Sequence, residues 1–149
     1  MEHFSDLVKK RRSHRKFTDE PILESQIQTL LDTALMSPTS KGLHSCKFYV
    51  VESKELLGQL ALSKAVGSQF VCDANCAIVV VAEPEISDVW IEDASAAAMS
   101  ILYQAEDLGL GACWVQIRER QDAEGVDSSS IVSEILGLSA LQSPVCLIA

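Results

Sequence analysis

The feature that most constrains this chain is one predicted helix that is apolar on almost every side. The helix spans residues 88–107, and between residues 94 and 105 the apolar run is interrupted only by Ser95, Ser100 and Gln104. Helices of this kind are normally covered all round, and a chain of 149 residues offers little material to cover one. Full coverage within one chain is an alternative, but the pattern favours burial against a partner subunit.

The other hydrophobic patterns predict an alternation of helices and strands in the order α-α-β-α-β-α-β-α-β. Apolar residues at helical spacing predict helices at residues 2–11, 24–36 and 55–62, and from 127 or 128 to 136. Runs of β-branched and aromatic residues predict strands at residues 48–51, 77–81, 113–117 and 145–149. Such alternation fits a doubly wound sheet, and the length suits one domain covering residues 1–149.

Positive charge is concentrated near the start of an otherwise acidic chain. The formal net charge is −9, yet six of the twelve lysines and arginines fall within residues 9–16. The overall charge disfavours general binding of nucleic acid. The cluster indicates either a site for a local anion or a basic helix end in contact with solvent. Neither G-x-G-x-x-G nor G-K-[ST] is present, so an anion would be held by side chains near residues 11–15.

The cysteines indicate neither a disulfide framework nor a metal site. Their number is odd and no C-x-x-C pair occurs. We therefore predict buried, unreactive thiols for Cys46, Cys72, Cys76, Cys113 and Cys146. The longest apolar stretches are too short to cross a membrane, and the first residues lack a secretory apolar region. We expect a cytoplasmic protein that binds no metal and does not enter a membrane.

Three segments in order resemble the nitroreductase family of flavoproteins. The first is Arg11-Arg12-Ser13-His14-Arg15-Lys16-Phe17, which resembles the family signature R-R-S-x-R-x-F after the first helix. In the family this segment grips the phosphate and ribityl chain of flavin mononucleotide (FMN). The resemblance implies that role for Arg11, Arg12, Ser13 and Arg15. Guanidinium groups suit it because they match phosphate oxygens bidentately.

The second segment, residues 37–51, is similar to the family pattern A-P-S-x-x-N-x-Q-P-W-x-F-x-V-V. In the family this loop lies against the isoalloxazine ring, commonly the ring bound mainly by the other subunit. The resemblance implies FMN contacts from Pro38, Thr39, Ser40 and Gly42. Residues 42–46 replace N-x-Q-P-W, so the polar groups at the flavin edge and the tryptophan beyond them are altered.

The third segment runs from Trp90 to Val115 and resembles D-x-x-x-A-x-x-x-L-x-L-x-A-x-x-L-G-L-G-x-x-W. The family uses this helix as the core of an obligate dimer, which implies a homodimer through residues Asp93–Leu108. It also implies that Gly111 approaches the flavin, where a missing side chain permits close backbone contact. The family fold is α+β, with a mainly antiparallel sheet flanked by helices, and we adopt it over a doubly wound sheet.

The resemblance implies an FMN-dependent oxidoreductase. The cofactor would take hydride from NADH or NADPH and reduce a small-molecule acceptor such as a nitroaromatic or a quinone. No catalytic side chain is assigned. Two alternatives are a non-catalytic flavin-binding protein, suggested by the altered residues 42–46, and a nucleic-acid-binding module using residues 9–16, which the acidic remainder disfavours.

Family members also continue past the last strand with a tail that often adds a basic residue to the FMN phosphate and wraps the partner subunit. The sequence ends at Ala149, so either it is truncated or the protein does without this tail. A phosphate lacking one charge-assisted hydrogen bond loses roughly 1.5–3 kcal/mol of binding free energy. The resemblance therefore leads us to expect weaker FMN binding and a less stable dimer than is usual in the family.

Overall fold

A computed structural model describes residues 3–149, and Met1 and Glu2 lie outside the described residues. The elements follow the predicted order α-α-β-α-β-α-β-α-β. The helices are α1 (Phe4–Lys10), α2 (Glu24–Leu35), α3 (Lys54–Leu62), α4 (Trp90–Asp107) and α5 (Ser128–Leu136). The strands are β1 (Cys46–Val51), β2 (Ala77–Ala82), β3 (Trp114–Gln116) and β4 (Ser143–Ile148). Two 3-10 helices, Ser40–Gly42 and Gln69–Asp73, were not predicted.

Among the described residues, element ends differ from prediction by at most two residues. The first predicted helix, residues 2–11, is observed from Phe4 to Lys10, and its first predicted residue lies outside the described residues. Strand β4 begins at Ser143 rather than residue 145, so it includes Pro144. Proline lacks the N–H that a continuous ladder requires. The register of β4 against β2 shifts between Val80 and Val81, next to this proline, which accommodates it.

The sheet is antiparallel throughout the described strands, with the order β1-β2-β4-β3. Strand β2 lies between β1 and β4, and all six of its residues are buried. An alternating helix–strand order would also permit a parallel, doubly wound sheet, but the observed register excludes that topology. The predicted α+β fold with a mainly antiparallel sheet flanked by helices is therefore confirmed.

Alternate residues of the central strands supply two hydrophobic layers. Ile78 and Val80 face a layer that includes α2 and α4, whereas Val79 and Val81 face a layer that includes α3 and α5. Successive side chains of a strand point to opposite faces of a sheet. This is why the continuous apolar run of β2, rather than an alternating one, is needed to fill both layers.

Helix α4 is only partly covered by its own chain. Its sheet-facing residues are buried, among them Ala94, Ala98 and Ile101. Ala96, Met99 and Tyr103 lie at helical spacing on another side and are half-buried, and Phe4 of α1 packs on Tyr103 with ring centroids 5.1 Å apart. The described residues therefore leave an incompletely covered stripe on the most apolar helix.

The prediction that all cysteines are buried is wrong for Cys72 and only partly right for Cys46. Cys76, Cys113 and Cys146 are buried, Cys46 is half-buried and Cys72 is exposed. Cys72 lies in the 3-10 helix Gln69–Asp73, where Val71 occupies the buried position instead. Within residues 3–149 no helix is long and apolar enough to cross a membrane. The same residues contain no group of three or more potential metal ligands.

Cys72 should be the first thiol to react with an aromatic disulfide reagent at pH 8. The thiolate is the reactive form, and burial raises the pKa of Cys76 to about 11 and also raises that of Cys146. We expect a fast phase that Cys72→Ser removes, with Cys76 and Cys146 reacting only in denaturant. A fast phase that survives Cys72→Ser would contradict this assignment.

Candidate functional site

The basic segment after α1 is held against the beginning of β3. Ser13 forms a parallel bridge with Ala112, and the His14 N–H donates to the Ala112 carbonyl at 3.0 Å. Strand β3 pairs on its other side with β4. The segment thus lies along the outer edge of the sheet, although its residues and Ala112 are about a hundred positions apart in the sequence.

The close approach of His14 explains why a glycine stands at position 111. A Cβ atom built on Gly111 would lie 3.1 Å from His14 Cβ and 3.2 Å from His14 Cγ. Contacts this short require one of the two groups to move. In this chain the space above Gly111 is thus occupied by His14, and the glycine lets the basic segment approach β3 closely.

The cations of the segment have different surroundings. The Arg12 guanidinium folds back and donates to the carbonyls of Lys9 at 2.7 Å and Arg11 at 2.8 Å. Arg12 therefore caps the C-terminal end of α1, as basic residues commonly do. Arg15 instead lies over the Phe70 ring, with 5.9 Å between its guanidinium carbon and the ring centroid. The helix-end alternative therefore applies to Arg12, and the anion site stays a prediction.

The second predicted segment forms a strained loop next to the start of α4. Lys41, Gly42 and His44 have positive φ angles of 53°, 63° and 49°. This conformation costs roughly 1–3 kcal/mol for a residue other than glycine. The loop is held by the Ser40 N–H, which donates to the buried Asp93 carboxylate at 3.0 Å, and by the His44 N–H, which donates to Thr39 Oγ1 at 3.2 Å.

The two predicted segments lie at opposite ends of the sheet in one chain. Residues 38–44 lead into β1, whose Cys46 pairs with Ala82, and Ala82 pairs with Ser143 at the start of β4. The basic segment meets Ala112 instead, beside Cys113, which pairs with Ala149 just past the end of β4. The six residues of β4 span about 20 Å. The structure therefore does not bring Pro38, Thr39, Ser40 and Gly42 together with Arg11, Arg12, Ser13, Arg15 and Gly111.

Strand β3 presents an open edge that continues from the basic segment. Residues of an antiparallel strand alternate in the direction of their N–H and C=O groups. The N–H and C=O groups of Cys113 are hydrogen-bonded to Ala149, the residue that follows β4. The N–H and C=O groups of Trp114 and Gln116 therefore point away from β4. The side chains of Trp114 and Gln116 are joined by a 3.0 Å hydrogen bond from indole Nε1 to Oε1. The sequence carried no signal for this edge, because its exposure depends on strand order.

A large cavity lies at the end of the sheet that holds the basic segment. Its volume is about 830 Å³, and its lining includes His14, Lys16 and Gly111 but not Arg11, Arg12 or Arg15. One wall, residues 18–20, is held by Asn75 Nδ2, which donates to the carbonyls of Thr18 and Glu20. The cavity is therefore adjacent to the arginines rather than formed by them.

A much smaller pocket lies under the strained loop and is lined in part by Thr39, His44, Cys46 and Asp93. Burial raises the pKa of the Cys46 thiol, and the Asp93 carboxylate adds to that increase. The thiol is therefore protonated near neutral pH. It occupies the position of the family's tryptophan and is a poor nucleophile there.

Comparison with known proteins decides the family. The sequence model of the Nitroreductase family matches residues 8–70 and 58–149. The chain belongs to the nitroreductase family. A relative from Archaeoglobus fulgidus, provisionally named NADH dehydrogenase/NAD(P)H nitroreductase, is 32% identical over 126 residues, which are 82% of this chain and 72% of the relative. A protein of the same name from Methanothermobacter thermautotrophicus is 33% identical over 125 residues, or 81% of this chain and 65% of that protein.

Solved nitroreductase structures share this fold. An FMN-dependent nitroreductase from Clostridium difficile R20291 superimposes with a TM-score of 0.94 at 40% identity, covering 96% of this chain and 83% of that one. The family resemblance predicted from three sequence segments is therefore confirmed across most of the chain. The roles of individual site residues stay predictions.

Gly111→Ala should destabilise this protein, since the added methyl group would press on His14. Overpacking costs about 1–3 kcal/mol of unfolding free energy in a core, and because Gly111 and His14 are both exposed we expect a loss at the lower end of this range, which denaturant titration would measure. Gly58→Ala is the matched control, because a Cβ at Gly58 meets nothing within 4 Å and alanine favours its helix by roughly 0.5–1 kcal/mol. His14→Gly should recover part of the Gly111→Ala loss. A Gly111→Ala protein as stable as wild type would disprove the contact.

Proposed function

We propose that this protein is an FMN-dependent oxidoreductase that takes hydride from NADH or NADPH and reduces a small acceptor such as a nitroaromatic or a quinone. The observation that carries the proposal is the arginine-bearing segment pinned beside the open edge of β3. The 40% identity to an FMN-dependent nitroreductase and the NAD(P)H nitroreductase names of the curated relatives support the cofactor and the hydride donor.

The residues at this end of the sheet fit the chemistry of FMN. A phosphate requires cations and hydrogen-bond donors, which Arg11, Ser13 and Arg15 offer. Side chains alternate along an extended chain, and the chain is extended at the Ser13 bridge. Since His14 faces Gly111 and Arg12 folds onto α1, this alternation favours Arg11, Ser13 and Arg15 as the set that holds the phosphate. Arg12 would contribute mainly by supporting Arg11.

The polar edge of a flavin ring requires backbone donors and acceptors on a rigid element. The outer edge of β3 offers the N–H and C=O groups of Trp114 and Gln116, and the second contact surface would be Pro38, Thr39, Ser40 and Gly42. When bound, FMN supplies the hydride-transfer chemistry. The β3 amides would stabilise negative charge on the ring by electrostatic preorganisation. We assign no side chain as a general acid or base.

A homodimer would complete the site. A two-fold interface brings the same patch of both subunits together in reversed orientation. If the two α4 helices pack antiparallel through Ala96, Met99 and Tyr103, the strained loop of one subunit comes to the arginine end of the other. The separation of the two segments within one chain supports this arrangement, and Gly111 would line the shared crevice beside His14.

Added FMN should bind to the purified protein and be reduced by NADH or NADPH. Arg11→Ala and Arg15→Ala should each weaken binding about ten- to hundredfold, because a hydrogen bond to a charged group contributes roughly 1.5–3 kcal/mol. Flavin fluorescence quenching would measure the dissociation constants. Arg120→Ala is a control of the same charge change, since Arg120 is exposed and its guanidinium donates only to the neighbouring Glu119 carbonyl among the hydrogen bonds described.

If the purified protein does not bind added FMN, the proposed function is refuted. Equal losses from Arg11→Ala and Arg120→Ala would show a general charge effect instead of a phosphate site. Bound FMN that neither NADH nor NADPH reduces would favour the non-catalytic flavin-binding alternative. That alternative is supported by one observation: residues 42–46 replace the N-x-Q-P-W of the family pattern.

The protein should have the mass of a dimer in solution, and Ala96→Glu should produce monomers. A carboxylate placed in an apolar interface would lose its hydration without gaining a partner. Sedimentation velocity would measure the mass, and far-UV circular dichroism would check that the fold is retained. Gln59→Glu places the same charge on the exposed side of α3 and should leave the dimer intact. A wild-type monomer that binds FMN fully would contradict the shared site.

A further inference from the structure

Asp93 is a buried carboxylate whose hydrogen bonds leave its own helix. It lies in the first turn of α4 and is 6% exposed. One oxygen accepts the Ser40 N–H at 3.0 Å, and the other accepts the Ser87 hydroxyl at 3.0 Å. A buried carboxylate is stable only when it has such partners, and the N-terminal end of a helix favours negative charge.

The Ser40 contact joins α4 to the most strained segment in the described chain. Lys41 and His44, both with positive φ, follow Ser40 within four residues. Strained backbone conformations persist only when contacts with the surrounding structure hold them in place. The ion pair of Lys41 with Asp88 is 3.9 Å long and exposed on both sides, so it holds the loop weakly. The Ser37 hydroxyl bonds to Ser100 at 2.8 Å, but Ser37 precedes the strained residues.

We propose that Asp93 is a positioning residue for the flavin site, because its carboxylate holds the Ser40 amide and thereby fixes residues 39–44 in the conformation that meets the ring. The inference rests on the proposed function and deepens it. Asp93 would not touch FMN itself. It would act through a charge-assisted hydrogen bond, which is stronger than a neutral one. Ser87 orients the carboxylate by occupying its second oxygen.

Two variants remove the same hydrogen bond from opposite sides. Asp93→Ala removes the acceptor, and Ser40→Pro removes the donor. Proline suits the first position of a helical turn, and the preceding Thr39 already has extended angles that a residue before proline adopts. Ser40→Ala is the matched control for Ser40→Pro, because it removes the hydroxyl but keeps the N–H. Glu92→Gln is the matched control for Asp93→Ala, since Glu92 is exposed on the same turn.

Amide hydrogen exchange in FMN-free protein should show the Ser40 amide exchanging at least tenfold faster in Asp93→Ala than in wild type. With FMN added, Asp93→Ala and Ser40→Pro should each weaken binding about tenfold and change the visible spectrum of the bound flavin. The double variant should be no weaker than the poorer single variant, since both changes remove one contact. Asp93→Asn keeps an oxygen acceptor without the charge and should return the spectrum part of the way to that of wild type. Glu92→Gln should match wild type throughout.

Wild-type FMN affinity and spectrum in Asp93→Ala would overturn the inference, as would fully additive losses in the double variant. If Asp93→Ala does not fold, the comparison of Ser40→Pro with Ser40→Ala decides, and equal affinities would overturn the inference. A wild-type protein that binds no FMN would end the proposed function and this inference together. The exchange rate of the Ser40 amide would still report the loop contact in that case, so the two failures can be distinguished.

Discussion

The packing of α4 against the central strands determines where each part of the candidate site lies. The helix contacts β2 and β4 along one face of the sheet. Its first turn carries Asp93, which holds the Ser40 amide, and the chain beyond its last turn reaches Gly111, against which His14 packs. An α-helix of 18 residues is about 27 Å long. The two segments that resemble FMN-binding motifs are therefore kept apart by a rigid element.

Because the two segments lie apart within one chain, we propose that the apolar surface of α4 helps to assemble the site. The half-buried stripe of α4, which includes Ala96 and Met99, is only partly covered by residues 3–149. A partner that covers the stripe in antiparallel orientation would also join the arginine end of one chain to the strained loop of the other. In this proposal, assembly of the subunits and assembly of the site depend on the same surface. The proposed interface would account for the apolar surface of this helix.

Much of the fold followed from local patterns, and the misses have physical causes. The order of elements was correct because long apolar periodicities report helices and strands reliably. Cys72 was misplaced because the 3-10 helix Gln69–Asp73 is too short to show a period. For Arg12 the sequence left two alternatives open, and the structure shows its contacts with the carbonyls of Lys9 and Arg11. A basic residue after a helix serves either an anion or the helix carbonyls, and the choice depends on which acceptor lies nearer in the folded chain.

The sequence by itself determined the family, the elements and the residue types available for a flavin site, because motifs and periodicities are properties of neighbouring positions. Only the tertiary structure decided that the strand order is β1-β2-β4-β3, that Gly111 accommodates His14 and that Asp93 holds Ser40. Those pairs are separated by 53 to 97 positions along the chain. Contacts over such separations are set by how α4 packs on the sheet, and no local pattern encodes that packing.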